Sequence, residues 1–214
     1  LGFINNFDAN YQIRNGADVL IRQAFTIFGS NSQLLYGLSL FMIFCLVGYN
    51  HRHTLLNSEI NIKFLVLIII ESLFWCSGLL ILMKGISSLF LAAPISVDLL
   101  EQFYLSVGAG IWEELIFRLG LISVFIYLIN SVFRYGKYFS MFLSLFFSGA
   151  IFSLFHYIGI YGDIFTWQTF ILRTFAGVFL GVVFLFRGLG ISVYTHIFYD
   201  MVLVSIPVMG FTSK

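Results

Sequence analysis

An all-α, polytopic membrane helix bundle is the fold class this sequence predicts, and three observations predict it. Sixty per cent of the 214 residues are hydrophobic and only 10% are charged, where an ordinary soluble domain carries about 25% charge. The mean hydropathy is +0.98. The apolar residues fall in long continuous runs with none of the two-residue alternation of strands. So few charges cannot cover a water-facing surface, which argues against a soluble enzyme and a disordered protein. The net charge of +1 supplies no basic field, so no nucleic-acid partner is expected. The 27 Phe and 19 Gly suit a bilayer, where aromatic and small residues do the packing.

A spanning helix needs about 20 mostly apolar residues. Six stretches qualify: residues 33–49, 64–83, 103–129, 139–158, 169–186 and 190–209. Ahead of them, residues 1–32 form a polar N-terminal segment in which Ala17 to Phe28 could lie as an interfacial amphipathic helix. That segment carries Asp8, Arg14, Asp18 and Arg22 and no signal-peptide apolar core. Residues 33–210 read as one membrane domain. The stretch after Lys84, with Leu89, Phe90, Leu91 and Pro94, is too short to span and reads as re-entrant or interfacial. Connections are short and polar: His51 to Lys63, Arg134 to Lys137, Gly162-Asp163 and Arg187-Gly188. Basic residues divide almost evenly between the two sides, so they assign no orientation. Cys45 and Cys76 both lie in apolar runs and suggest no disulfide framework. Gly177 and Gly181 form a small-xxx-small pair suited to close helix packing.

Ionisable groups inside such helices are costly, about 2.5–3.5 kcal/mol each at the bilayer centre on insertion scales. This chain nevertheless places Glu71 in the second span, Glu113, Glu114 and Arg118 in the third, His156 in the fourth, and His196 and Asp200 in the sixth. They should face one another or a wet cavity. Glu114 and Arg118 are four apart with the acid first, the favourable order for a helix ion pair. Glu113 lies about 100° away around an α-helix. Arg118 would then neutralise Glu114 and leave Glu113 facing a cavity as a general base. The competing reading is a buried charge cluster that only holds helices together. Phe152 and His156 share a helix face, as do His196 and Asp200. Asp200 could fix the tautomer of His196, or both could point at one substrate oxygen. Glu71 could face Arg118 or snorkel, and it is not placed in the site.

Glu-Glu-x-x-x-Arg at Glu113, Glu114 and Arg118, then Phe-x-x-x-His at Phe152 and His156, then His-x-x-x-Asp at His196 and Asp200 resembles the signature of the CPBP family of intramembrane proteases. That family includes the type II CAAX prenyl endopeptidases and bacteriocin-processing or self-immunity proteins. The resemblance covers about residues 103–209. It implies an intramembrane, glutamic-type endopeptidase in which Glu113 and His156 activate water. It also implies that His196 and Asp200 stabilise the oxyanion, with Glu114, Arg118 and Phe152 in support. The prenyl endopeptidases tend to carry Asn where this chain has Asp200, so Asp200 must be protonated or act through His196. No cofactor is expected. One Glu and two His could in principle hold zinc, but the sequence lacks His-Glu-x-x-His. The implied partners are the bilayer and a peptide or protein substrate at the membrane, either lipidated or a leader or sorting segment. The expected location is a multi-pass integral protein of a prokaryotic cell membrane. Two other functions fit the same residues: a non-catalytic immunity or partner-binding membrane protein, and a proton-coupled transporter.

One geometric demand follows. His156 lies late in its span and His196 early in a parallel one. At equal offsets they would differ by ten or so residues, on the order of 15 Å of rise. For both to meet Glu113, the fourth span must be tilted, shifted or longer past His156.

Overall fold

The structure is a computed structural model that describes residues 22, 25–50, 52–53, 61–86, 99–158 and 162–208. Among these residues, six helices make up the bundle and no strand occurs. Helix α1 is Ser32–Asn50, preceded by a 3-10 turn at Thr26–Asn31, and α2 is Ile62–Ile86. Helix α3 begins as Leu99–Glu113. It runs on through π-helical Glu114–Ile122, an α-helical turn at Ser123–Tyr127 and π-helical Leu128–Val132. Helices α4 (Lys137–Phe155), α5 (Trp167–Arg187) and α6 (Leu189–Val208) follow. Four stretches are long and apolar enough to cross a membrane: Ile62–Ile86, Gln102–Val132, Lys137–Phe155 and Trp167–Arg187. The apolar segment Leu189–Ser205 is shorter. The protein is an integral membrane helix bundle.

Local chemistry sets the helix ends. Asn61 opens α2, its side-chain oxygen accepting from Lys63 N at 3.0 Å, and Thr166 caps α5 by accepting from Thr169 N at 3.2 Å. Gly188 closes α5 with φ 86°, a left-handed conformation that favours glycine. Helix α6 starts one residue later, so α5 and α6 form a tight antiparallel hairpin. The predicted re-entrant piece beyond Lys84 and most of the predicted interfacial helix Ala17 to Phe28 lie outside the described residues.

Glycines decide how closely these helices approach. A Cβ on Gly149 would lie 2.8 Å from Val178 Cγ2 and 2.9 Å from the Thr174 carbonyl oxygen, and one on Gly177 would lie 2.9 Å from Gly149 Cα. Helices α4 and α5 therefore touch backbone to backbone. Gly181 continues this contact against Leu145 and Ile122. Gly110 plays the same part between α3 and α6, where a Cβ would run into Ile197 Cγ1 and sit 3.1 Å from Ile197 N. The small-xxx-small spacing singled out Gly177 and Gly181; Gly110 and Gly149 emerge from the helix crossings. Leu79, Met83, Leu172, Ala176 and Leu180 form the apolar core between α2 and α5.

Glu71 departs from expectation. It does not face Arg118 but forms an ion pair with Arg187 at the end of α5. Its carboxylate also accepts from Trp75 Nε1 at 3.3 Å. The antiparallel register of α2 against α5 brings position 71 beside the α5–α6 turn, and a helical sequence alone cannot reveal that pairing.

A methyl group at Gly149 tests the backbone contact. Gly149→Ala should destabilise the protein by about 1–3 kcal/mol through overpacking, read as a lowered unfolding midpoint in detergent. Alanine at Gly136, where a Cβ would meet nothing within 4 Å, should leave the midpoint much less affected.

Candidate active site

Glu114 is the most enclosed acid of the site, with no exposed surface. Three groups surround its carboxylate. Arg118 Nε lies 3.3 Å from Oε2 as an ion pair within the π-helical segment. The Ser192 hydroxyl, on α6, donates to the same oxygen. His196 Nδ1 lies 2.8 Å from Oε1. A carboxylate only accepts, so His196 Nδ1 carries the hydrogen and Nε2 is turned the other way. Glu114 thus ties α3 to α6 while Arg118 supplies the charge that a buried carboxylate requires.

Arg118 is itself fully buried. It donates from Nη2 to the Gly177 carbonyl at 3.5 Å and lies 4.4 Å above the Phe152 ring. One guanidinium therefore touches α3, α4 and α5, which fits its planar fork and its stacking on aromatic faces. Ser148 donates to the Phe117 carbonyl at 2.8 Å, giving one π-segment carbonyl a partner on α4. π-Helical turns occur often at functional sites, and here the turn carries both Glu114 and Arg118.

At the other nitrogen of His196, two more acids converge. Glu113 Oε2 lies 3.8 Å from Nε2, and Asp200 Oδ2 lies 3.6 Å from it. The adjacent glutamates therefore address opposite edges of one imidazole. The sequence reading allowed Asp200 to orient His196 by accepting its proton. In the structure Glu114 holds Nδ1, and Asp200 stands on the Nε2 side with Glu113.

His156 enters from α4. The helix ends at Phe155, with His156 as its C-cap in a tighter turn through Ile158. The span expected over 139–158 is therefore shorter as regular α-helix, and the chain just past His156 is a tighter turn and not further α-helix. His156 Nδ1 is 2.9 Å from the Phe152 carbonyl. A carbonyl only accepts, so Nδ1 carries hydrogen and Nε2 keeps its lone pair in the neutral ring. His156 is not within ion-pair distance of Glu113. The Phe152 ring connects the two imidazoles, its centroid 4.9 Å from that of His156 and 6.1 Å from that of His196.

The α5–α6 hairpin shortens the offset expected between the parallel spans. Ser192 sits against Leu180, and Gly181 and Gly177 sit against Leu145 and Gly149. Carried across α5, this register leaves His156 about six residues beyond His196, on the order of 9 Å of rise. Phe152 occupies that interval. Phe117 stacks edge-on to Phe152 at 5.4 Å, joining α3 to α4 in that interval. Sequence reasoning missed Ser192 as a site residue, although its place one turn before His196, on the same face, marked it.

Among the described residues, no group of three or more His, Cys, Asp or Glu side chains is arranged to hold a metal ion. Glu114 is already engaged by Arg118, Ser192 and His196.

A model of the type II CAAX prenyl endopeptidase Rce1-like family matches residues 94–202. The chain belongs to this family. The match runs from the stretch before α3 to Val202 and includes every residue of the cluster around His196. Searches of the curated proteins and of the solved structures find no match. Family membership makes the chain a membrane protease of the CAAX type.

Removing the Arg118 charge tests the packing of this cluster. Arg118→Ala should cost about 3–5 kcal/mol because it strands a buried carboxylate. The double variant Glu114→Gln/Arg118→Met should recover much of that loss. Unfolding of the purified variants in detergent measures both.

Proposed function

We propose that this protein is an intramembrane endopeptidase that hydrolyses a peptide bond of a membrane-associated substrate, with Glu113 as its general base. The observation that supports the reading is the convergence of Glu113, Asp200 and His196 Nε2, with Glu114 holding the far side of the ring.

The chemistry follows from the atoms each group presents. A water between Glu113 and His156 loses a proton to the Glu113 carboxylate, while the His156 Nε2 lone pair orients it. The water oxygen bonds to the scissile carbonyl carbon, and the carbonyl electrons move to oxygen. His196, doubly protonated, donates from Nε2 to that oxyanion. Asp200, if it carries its proton, donates to the same oxygen; if ionised, it sets the His196 ring instead. The tetrahedral intermediate collapses, the C–N bond breaks, and the proton held by Glu113 passes to the leaving amine. Glu114, Ser192 and Arg118 keep His196 in place. The substrate class follows the family: a peptide presented at the membrane, with a prenylated CAAX-type peptide as the first probe.

Two variants test these roles in lipid nanodiscs with a fluorogenic farnesylated peptide. Glu113→Gln should lower kcat/KM by about 10²–10⁴-fold without lowering the unfolding midpoint, and retained cleavage would refute the assignment. Asp200→Asn should keep cleavage within about tenfold, whereas Asp200→Ala should lose about 10²–10³-fold, the scale for removing one oxyanion donor.

A further inference from the structure

Beyond the cluster around His196, a second polar group stands where α4 gives way to α5. Arg173, on α5, donates from Nη2 to Asp163 Oδ2 at 2.5 Å. Its guanidinium carbon lies 5.4 Å from the centre of the Tyr157 ring. Tyr157 is fixed in turn by a 2.7 Å hydrogen bond between its hydroxyl and Thr169 Oγ1. The Asp163 backbone N–H donates to the His156 carbonyl at 2.9 Å. Arg173 is therefore tied to His156 through two consecutive bonds, and it stacks on the residue that follows His156.

The pair spans from the surface inward: the Asp163 side chain is 58% exposed and that of Arg173 only 16%. Within Arg173 the two terminal nitrogens differ. Nη2 has Asp163, while Nη1 is buried and has no hydrogen-bond partner among the described residues. A charged N–H shut away from water without an acceptor is costly. Such a group calls for an explanation, and a bound ligand is one. Asp163 already balances the arginine charge, so a second anion would be repelled by that carboxylate. A neutral acceptor fits the unfilled hydrogen-bond position at Nη1. Beside the histidine of a peptide-cleaving site, that acceptor is an amide carbonyl.

We propose that Arg173 binds the substrate backbone, its Nη1–H donating to a peptide carbonyl that passes beside His156. This inference rests on the protease reading above, and it names a binding residue outside the three motifs. A merely structural Arg173, holding Asp163 and Tyr157 by charge, would be replaceable by lysine. A binding residue that uses two nitrogens at once would not.

The test uses the full chain in nanodiscs with the same farnesylated peptide. Arg173→Gln and Arg173→Lys should each raise KM about tenfold or more, as for a lost hydrogen bond to a charged donor, with kcat little changed. Full activity in Arg173→Lys, a fall in kcat alone, or an unchanged KM would overturn the proposal. Binding of the intact peptide to Glu113→Gln protein, followed by fluorescence anisotropy, supplies a readout that needs no turnover. Adding Arg173→Gln to that background should weaken binding by a similar factor; equal binding, or none in either protein, would overturn it. Failure of the wild type to cleave would refute the protease reading separately, leaving the anisotropy comparison to decide the role of Arg173.

Discussion

A carboxylate sealed inside a membrane bundle must be matched by a cation and by hydrogen-bond donors, and Glu114 is the point at which this protein meets that demand. Arg118 lies within its own helical segment, Ser192 and His196 come from α6, and all four groups are buried. Each partner is fixed by the need to satisfy the others. Removing any one leaves a charged or polar atom with fewer groups to bond, and Arg118 Nε and Nη1 already make no hydrogen bond among the described residues. The position of His196, and with it the space between Nε2, Glu113 and Asp200, depends on that arrangement.

The cluster can close only because the backbones come close. Arg118 reaches the Gly177 carbonyl from a place where α4 and α5 pass each other at Gly149 and Gly177 without intervening side chains. Gly110 lets α3 approach α6 within one turn of Glu113. In lipid, helix association draws on close packing and interhelical hydrogen bonds more than on water exclusion. Small residues and paired polar groups are therefore two parts of one solution. The aromatic residues fill what remains: Phe152 touches Phe117, Arg118 and both imidazoles, joining α3, α4 and α6 through one ring.

The same economy governs the ion pairs farther out. Glu71 and Arg187 join α2 to the end of α5 beside the turn that launches α6. Thr195, next to His196, lies 3.5 Å from the Ser72 carbonyl of α2. Polar groups in this bundle thus recur where α6 must be held, at its start and along the face that carries His196.

Much of this was legible in the order of residues alone. A composition with 10% charge can be solvated only by lipid, so the bundle and its spans follow directly from hydropathy. The Glu114–Arg118 pair follows from helical spacing, and the three motifs are local patterns that one strand of text displays. What spacing cannot express is which helix faces which. That Glu114 rather than Asp200 takes His196 Nδ1, that Glu71 meets Arg187, and that Ser192 and Gly110 belong to the site's frame are facts about residues 78 to 116 positions apart in several cases. The π-helical segment was equally hidden, because the sequence reading assumed 100° per residue throughout. Chain order determined which polar groups had to be buried; tertiary packing alone decided their partners, because a buried charge is satisfied by whatever donor the helix crossings bring within reach.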